Sequence, residues 1–295
     1  MITFELVSMT GYRVRFISQD IDGNPEDYHY LINAYLPGVN LSPETQIKPN
    51  VTIVFHESEN KSLNTTADII AINDLWDGKI SLDLWHLMYS LVRQNLLSHN
   101  LFSVHAACAG KNKMVLLVGH SGMGKTTLML RLVSDYDWSI FSGNKTVIDF
   151  SKGICAVAGT KTISIKESDI VKYPNLKQTS VIYSNRTALQ LDNEYFDNRL
   201  EVPISAICIV KVDDGHNESI ELSYPSNMHS LYPFFMDTVY ADTIMCDGEE
   251  VYSGDPPPET RNLLSRKLKN SLPSIKVFNM LGSVKYLANQ IKTLI

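Results

Sequence analysis

A short apolar run, a glycine-rich segment and a helix-forming run follow one another in the middle of the chain. Val115–Val118 is typical of a buried parallel strand, and Thr126–Val133 is apolar enough to pack as a helix on a sheet. The segment between them has the spacing G-x-x-x-x-G-K-[ST] at Gly119, Gly124, Lys125 and Thr126. Strand, glycine loop and helix in this order predict a loop that surrounds a phosphate.

Each residue type in this loop has a physical reason. Glycines allow a tight turn whose N–H groups point inward, so that an anion approaches without meeting a Cβ. Lys125 supplies a positive charge for the β/γ-phosphates, and the hydroxyl of Thr126 is a ligand for Mg²⁺. The loop therefore predicts binding of ATP or another purine nucleoside triphosphate with Mg²⁺. The predicted contacts are Gly119, His120, Ser121, Gly122, Met123, Gly124, Lys125, Thr126 and Thr127.

Composition limits the other possible classes of protein. The chain has 295 residues, 44% of them hydrophobic and 20% charged, which is typical of a globular protein with a sizeable core. A net charge of −6 argues against a nucleic-acid partner, which favours a basic surface. No apolar run reaches the length of a membrane helix, and we expect a cytoplasmic protein with no membrane partner. The four widely spaced Cys residues predict buried, reduced thiols and no zinc site.

The order of apolar segments predicts an α/β chain, with α+β as the alternative. Residues 1–80 are expected to form a β-rich N-terminal region, and residues 81–295 a nucleotide-binding domain. Helical spacing predicts a helix from Leu82 to Leu97, and Phe102–Ala107 is predicted as one strand before the strand that leads into the loop. Glu57–Thr66 is polar and is expected to be a surface loop.

The segment around the loop resembles a known family. Leu-Phe-Ser-Val-His-Ala-Ala-Cys-Ala-Gly at 101–110, followed by the loop sequence, resembles the HPr serine kinase/phosphorylase family and its smaller HPr-kinase-like relatives. That group is related in fold to phosphoenolpyruvate carboxykinase. The resemblance covers about residues 82–170 and continues more weakly to the C-terminus. It implies a P-loop core of that type, a kinase activity with ATP and Mg²⁺, and a tendency to form homo-oligomers.

The chain departs from the family pattern after the loop helix. The family has a Ser-Asp-Asp-Arg/Lys-like segment there, whose aspartate is implied to act as a base toward the acceptor hydroxyl. The matching residues here are Ser142, Gly143, Asn144 and Lys145. Both acidic positions are replaced, and an amide can orient a hydroxyl but cannot take its proton.

Other side chains remain candidates, each with a plainer alternative. His105 is twenty residues before Lys125, as in the family, and is either a group near the γ-phosphate or a core histidine. Lys145 either pairs with a phosphate or carboxylate of the substrate or is solvated. Asp149 is a candidate base or a surface acid at a strand end, and Glu167 lies where the family tends to have an acid associated with Mg²⁺. Asp213 and Asp214 follow an apolar strand and read either as a metal-associated end or as a turn, which we favour.

The prediction from the sequence is an ATP-dependent kinase that transfers the γ-phosphoryl group to a hydroxyl of a small molecule or of a peptide or protein serine. We expect His105, Lys125, Asn144, Lys145 and Asp149 to be its catalytic residues, and Thr126 and Glu167 to hold the metal. Two alternatives stay open. One is a nucleotide-binding regulatory protein that has lost catalysis through Gly143 and Asn144, and the other is a simple NTPase.

Overall fold

Alternating apolar residues in the N-terminal region build a six-stranded mixed sheet. The computed structural model describes residues 1–43, 45–76, 82–166, 169, 172–173, 176, 178–183, 186–240, 243–246, 249–253 and 258–295. The first six strands are β1 (Ile2–Ser8), β2 (Arg13–Ser18), β3 (Val39–Ser42), β4 (Val51–Glu57), β5 (Ser62–Thr65) and β6 (Ile69–Asp74). Their order is β3-β1-β2-β4-β6-β5, with β2, β4 and β6 parallel and the other neighbours antiparallel.

Two helices cover this sheet. They are α1 (His29–Tyr35) and α2 (Leu82–Ser98), with a 3-10 turn at Pro25–Tyr28 before α1. Every second residue of the strands, such as Phe4, Phe16 and Phe55, points into one core with apolar residues of both helices. The helix predicted from Leu82 to Leu97 is confirmed. The prediction of a loop over Glu57–Thr66 is wrong in part, because Ser62–Thr65 pairs with β6 as an edge strand.

The rest of the described chain is built around a larger sheet. Its strands are β7 (Leu101–Val104), β8 (Ala106–Gly110), β9 (Met114–Val118), β10 (Ser139–Ser142), β11 (Thr146–Asp149), β12 (Cys155–Gly159), β13 (Ile163–Ile165), β14 (Gln178–Tyr183), β15 (Arg186–Leu191), β16 (Val202–Val212), β17 (Asn217–Glu221), β18 (Thr243–Cys246), β19 (Glu249–Ser253) and β20 (Lys276–Gly282). The helices are α3 (Lys125–Tyr136), α4 (Ser226–Tyr240), α5 (Pro258–Ser271) and α6 (Val284–Ile291), with 3-10 turns at Asn193–Tyr195, Leu272–Ser274 and Lys292–Leu294.

Nine of these strands form one sheet in the order β10-β8-β9-β16-β12-β11-β7, with β20 beside β16 and β17 beside β20. The long strand β16 runs parallel to both β9 and β20, and its first two residues pair with β12. Strands β13, β15 and β14 make a separate antiparallel sheet, and β18 and β19 make a hairpin.

Both faces of the central part of this sheet are covered by helices. Alternate residues of β9 separate to the two sides: Val115 and Leu117 lie in the core with α3 and α6, and Leu116 lies in the core with α4 and α5. The mixed α/β class predicted from the sequence is confirmed. The division at residue 80 stays a prediction. None of the helices in the described part of the chain is long and apolar enough to cross a membrane.

The strand predicted over Phe102–Ala107 is in fact two strands. The chain bends at His105: β7 before it pairs with β11, and β8 after it pairs with β9 and β10. The sequence did not predict this break, because the residues on both sides of the bend are apolar. Hydrophobic periodicity does not show where a strand changes its pairing partner. The bend places His105 at the boundary between two parts of the sheet.

Candidate functional site

Three glycines with positive φ shape the segment between β9 and α3. The φ angles of Gly119, Gly122 and Gly124 are +154°, +80° and +88°. A Cβ at Gly119 would come within 2.8 Å of the carbonyl oxygen of Val210, and one at Gly124 within 2.3 Å of Cγ2 of Val212. Gly122 has open space around it. The close approach of β16 therefore requires Gly119 and Gly124, whereas only the backbone conformation favours glycine at 122.

The side chain of Lys125 folds back into this loop. Its Nζ donates to the carbonyl oxygens of Gly119 (2.6 Å) and His120 (3.1 Å), and the residue is 7% exposed. Burial lowers the pKa of Lys125 to about 8. Among the residues that the structure describes, no carboxylate is bonded to this ammonium group, so an incoming anion would meet a positive charge that these residues have not neutralised.

Helix α3 begins at Lys125 without a side-chain cap, because its N-cap is Gly124. The amide groups of its first turn and the positive end of its dipole are thus directed at the loop. Ser121 and Gly122 are exposed, whereas Met123, Thr126 and Thr127 are half-buried. The carbonyl oxygen of Thr127 accepts a hydrogen bond from Tyr173 Oη (3.0 Å), which ties this turn to the chain beyond β13. The arrangement suits an anion at the helix N-terminus.

His120 extends from the loop toward α4. Its ring lies 5.0 Å from that of Phe234, centroid to centroid, with the planes tilted by 50°. Phe234 is half-buried, and the next residue, Phe235, is fully buried in the core under α4. The aromatic run around Phe234 therefore belongs to a core-packed helix, with one ring touching the loop.

The strand register brings His105 between the loop and Lys145. Ala106, directly after His105, pairs with Val118, and Gly119 is the residue that follows this strand. Val104, directly before His105, pairs with Thr146, and Lys145 is the residue before it. The main chain of His105 thus lies beside the first residue of the loop on one side and Lys145 on the other. The register brings the main chains of His105 and Lys145 together, and the part of their side chains in catalysis stays a prediction.

The ammonium group of Lys145 lies over an aromatic ring. Its Nζ is 2.9 Å from the ring centroid of Tyr89 in α2, and Tyr89 Oη shares a 2.8 Å hydrogen bond with Ser103 Oγ. Tyr89 belongs to the core of the N-terminal sheet. A cation over an aromatic face is stabilised by the ring quadrupole. The helix that covers the N-terminal sheet therefore positions one of the candidate site residues.

We predict that Tyr89→Leu releases the side chain of Lys145. Without the ring, the ammonium group loses a contact that contributes about 0.5–2 kcal/mol. We expect Lys145 to react several times faster with an amine-acylating reagent, measured by peptide mass spectrometry. Tyr89→Phe is the matched control, because it keeps the ring and removes only the hydroxyl bonded to Ser103. Equal reactivity of Lys145 in Tyr89→Leu and the unaltered chain would contradict the contact.

Thr160 holds the segment that replaces the acidic pair. Its Oγ1 accepts from the amides of Asn144 (3.1 Å) and Lys145 (3.0 Å), and its carbonyl oxygen accepts from the amide of Gly143 (2.8 Å). A Cβ at Gly143 would come within 2.9 Å of Cγ1 of Ile163. The turn is thus fixed by its backbone, and position 143 has no free room for a carboxylate.

Asp149 lies at the far end of β11 from this segment. It pairs with Leu101, whereas Thr146 at the other end pairs with Val104. Both carboxylate oxygens of Asp149 accept from Ser151, the backbone amide at 2.8 Å and Oγ at 2.6 Å. The structure does not bring Asp149 to the loop, because it lies at the opposite end of β11 from Thr146, with two residues of extended strand between them. The prediction that it serves as a base loses its geometric support.

Glu167, which was predicted to hold the metal, lies outside the described residues. Asp169 makes a 2.6 Å ion pair with Lys172, three residues later. Within the described ranges no group of three or more His, Cys, Asp or Glu residues could hold a metal ion. A metal at this loop would thus depend on a hydroxyl and few carboxylates, which is how Mg²⁺ is held beside nucleotide phosphates.

The sequence did not show that the end of β16 forms a wall of the loop. The amide of Val212 donates to the carbonyl oxygen of Met123 (3.0 Å). Asp213 comes next, and its Oδ1 accepts from the amide of Gly215 (2.8 Å), as the turn interpretation predicted. That hydrogen bond, followed by the interaction with His216, holds the pKa of Asp213 below its ordinary value. Asp213 therefore belongs to a turn and also follows directly after a residue that contacts the loop.

Three of the four cysteines are buried thiols. Cys108, Cys155 and Cys208 are all free and buried, and burial raises the pKa of Cys108 and Cys208 well above the ordinary value. A thiol with a raised pKa is a poor nucleophile at neutral pH. These three residues behave as small core residues, in agreement with the sequence.

Comparison with known proteins gives a distant likeness. No protein-family model and no curated protein matches the chain. Among solved structures, the Hpr(Ser) kinase/phosphatase from Coxiella burnetii is matched with 12% identity, covering 65% of this chain and 92% of that chain, at a TM-score of 0.27. At this identity the likeness concerns the fold alone, and at this TM-score it carries no argument about the site.

Proposed function

We propose that the chain binds a purine nucleoside triphosphate with Mg²⁺ at Gly119–Thr127 and transfers its γ-phosphoryl group to a hydroxyl. The proposal assigns residues 81–295 to a P-loop domain of the HPr-kinase type. The observation that carries it is Lys125, whose nearly buried ammonium group lies among the loop carbonyls at an uncapped helix N-terminus. Such a loop suits a phosphate because backbone amides, helix dipole and lysine all favour an anion.

Each group of the site has a distinct part in the proposal. Lys125 balances the charge on the β/γ-phosphates, and the hydroxyl of Thr126 is a metal ligand, which fits the oxygen donors that Mg²⁺ prefers. When bound, the metal neutralises the charge on the phosphates. Asn144 would orient the acceptor hydroxyl, and Lys145 would leave Tyr89 to pair with an anionic group of the acceptor or the phosphate.

The transfer step requires a place for one proton. The acceptor oxygen forms a bond to the γ-phosphorus as the bond to the bridging oxygen breaks, and the hydroxyl proton must leave the acceptor. His105 can accept it, and its main chain lies beside Gly119. A general base contributes roughly 10²–10⁴-fold, whereas positioning and charge neutralisation supply more. A slow kinase is consistent with an amide at position 144.

Titration calorimetry tests the first half of the proposal. We expect the chain to bind ATP in the presence of Mg²⁺, and Lys125→Ala to weaken the affinity by about 10–100-fold through loss of a charge-assisted hydrogen bond. Lys113→Ala, in the turn before β9, removes the same charge outside the loop and is the matched control. Unchanged affinity in Lys125→Ala, or no binding of any nucleoside triphosphate by the unaltered chain, would overturn the proposal.

A specific observation favours a second candidate, a regulatory protein that binds nucleotide without transferring phosphate. Gly143 has no room for a side chain, and Lys145 is occupied by Tyr89. Turnover of ATP, with and without pools of hydroxyl metabolites or serine peptides, separates the candidates. Transfer that depends on an acceptor indicates a kinase, turnover without one an NTPase, and binding alone the regulatory protein. A gain of turnover in Asn144→Asp would support a site that has lost its base.

A further inference from the structure

Strand β17 lies at an edge of the nine-stranded sheet and leaves its outer side uncovered. Within the described part of the chain it pairs with β20 and with no other strand. Four of its five residues are exposed, and the apolar Ile220 among them is 48% exposed. The outer edge of a strand presents N–H and C=O groups with which another chain can pair.

Another edge of the same sheet shows how the fold covers a strand. Ile140 in the edge strand β10 forms a bridge with Phe196, and its carbonyl oxygen accepts from the amide of Asp197 (2.8 Å). The chain after β15 thus lies along β10. None of the described residues plays this part for β17, so its edge differs from that of β10.

Two hydrogen bonds show which residues of β20 face β17. The amide of Leu222, directly after β17, donates to the carbonyl oxygen of Val277 (2.8 Å). The amide of Asp213, directly after β16, donates to the carbonyl oxygen of Gly282 (2.9 Å). Because the hydrogen-bonding direction alternates along a strand, the odd-numbered residues of β20 face β17 and the even-numbered ones face β16.

The strand register then identifies the backbone groups at the free edge. Glu218 and Ile220 are opposite the odd-numbered residues of β20, so their N–H and C=O groups point toward that strand. The N–H and C=O groups of Ser219 and Glu221 therefore point away from the sheet. No described residue forms a hydrogen bond with them, which leaves two donors and two acceptors in one row.

The side chains of β17 set the chemistry of a partner. The strand has two glutamates and no basic residue, and Glu218 and Glu221 project to opposite faces because they are three positions apart. Nζ of Lys276 lies 3.8 Å from Oε2 of Glu221, with both side chains more than half exposed, and such a surface pair contributes little. The net charge of −6 and this acidic strand disfavour a second copy as the partner.

We infer that β17 binds an extended basic segment of a partner protein as an added strand. Main-chain hydrogen bonds supply the affinity in this mode of recognition, and alternate side chains supply the specificity. Ser219 and Glu221 form the hydrogen bonds, and the two glutamates pair with basic residues at positions i and i+3 of the segment. An apolar residue between them contacts Ile220. The inference goes beyond the proposed function, because it involves neither the loop nor a nucleotide.

A short fluorescent peptide tests the charge pattern. In acetyl-Thr-Lys-Val-Val-Lys-Thr-amide, paired antiparallel, the two lysines lie opposite Glu218 and Glu221, and one valine lies opposite Ile220. We expect saturable binding in fluorescence anisotropy that weakens as salt is added. The peptide with both lysines replaced by glutamate should bind at least about tenfold more weakly. Glu218→Lys combined with Glu221→Lys should reverse this preference.

Ser219→Pro tests the hydrogen bonds of the edge. Proline removes an outward N–H and leaves the N–H groups that face β20, so a sheet tolerates it at this position. We expect the lysine peptide to bind at least about fivefold more weakly to Ser219→Pro. Ser219→Ala keeps the N–H and is the matched control, and urea unfolding of both variants shows that they fold.

A measurement on the unaltered chain does not depend on any variant. In amide NMR spectra, the lysine peptide should shift the resonances of Ser219 and Glu221 most and those of Glu218 and Ile220 least. No binding at about 1 mM peptide, equal binding of the two peptides, or equal shifts along the strand would overturn the inference. A dimer in sedimentation that Ser219→Pro dissociates would overturn it in favour of self-pairing. ATP binding is measured separately, and its absence would overturn only the proposed function.

Discussion

Gly124→Ala is expected to destabilise the protein by about 2–5 kcal/mol and to abolish nucleotide binding. A left-handed conformation costs a residue with a Cβ about 1–2 kcal/mol, and an overpacked contact adds about 1–3 kcal/mol. The new methyl group would lie 2.3 Å from Cγ2 of Val212, a stiff β-branched side chain whose amide is bonded to the loop. The free energy of unfolding from urea titration and the ATP affinity from calorimetry measure the two effects.

Gly122→Ala is the matched control for this change. Gly122 has φ +80° but open space around its Cβ position, so only the conformational cost of about 1–2 kcal/mol applies. Val212→Ala in the Gly124→Ala background should recover part of the stability, because it removes Cγ2, which the new methyl group would meet at 2.3 Å, and keeps only the Cβ at 2.8 Å. A double-mutant cycle gives this coupling. If Gly122→Ala and Gly124→Ala lowered the free energy of unfolding equally, with no coupling to Val212, the close contact between β16 and the loop would be contradicted.

Lys125→Met is expected to stabilise the nucleotide-free protein at pH 7 while it weakens nucleotide binding. Burial lowers the pKa of Lys125 to about 8 from an ordinary value of 10.5, so folding disfavours its charged form. At about 1.4 kcal/mol for each pH unit, the penalty is about 3.5 kcal/mol. The two hydrogen bonds to loop carbonyls offset about 1–2 kcal/mol of it. We expect a net gain of about 1.5–2.5 kcal/mol in Lys125→Met.

The sign of the pH dependence distinguishes this effect from simple repacking. Between pH 8 and 10.5 the unfolded chain binds more protons at this lysine than the folded one, so the stability of the unaltered protein rises with pH over that range. The full free-energy cost of burying the charged lysine applies below pH 8. The gain in unfolding free energy of Lys125→Met should therefore shrink as pH rises to about 10. Urea unfolding at pH 7, 8.5 and 10 measures it. A variant less stable at pH 7, or a difference that does not change with pH, would contradict the account.

Local signals in the sequence were sufficient to predict the glycine-rich loop and the helix that follows it. Glycines at fixed spacing, an apolar run before them and a lysine at the helix start act within about fifteen residues of one another. The start of α6 depends on a similarly local feature, because Ser283 Oγ accepts a hydrogen bond from the amide of Tyr286 three residues later. Such features are predictable because the residues that form them are neighbours in the chain.

The walls of the site could not be predicted, because they are built from distant segments. No local pattern indicates that Val212 touches Gly124, that Thr160 holds the amides of Asn144 and Lys145, or that Lys145 lies on Tyr89. Each contact depends on which strands pair, and hydrophobic periodicity does not identify the partner of a strand. The resemblance identifies the substitution at 143 and 144, but no sequence pattern indicates that Ile163 fills the space beside Gly143.

The pairing of β9 with β16 has a consequence for the order in which the protein acquires its site. The loop is encoded by one short stretch, but the strand that closes one side of it is synthesised much later, after β15. Contacts of large sequence separation form late, since the intervening chain must first be ordered. A growing polypeptide that ends before Val212 would carry the complete glycine motif. It would still lack the end of β16, which lies against Gly119 and Gly124. We therefore expect the proposed binding to require the finished sheet, with its central strand in place.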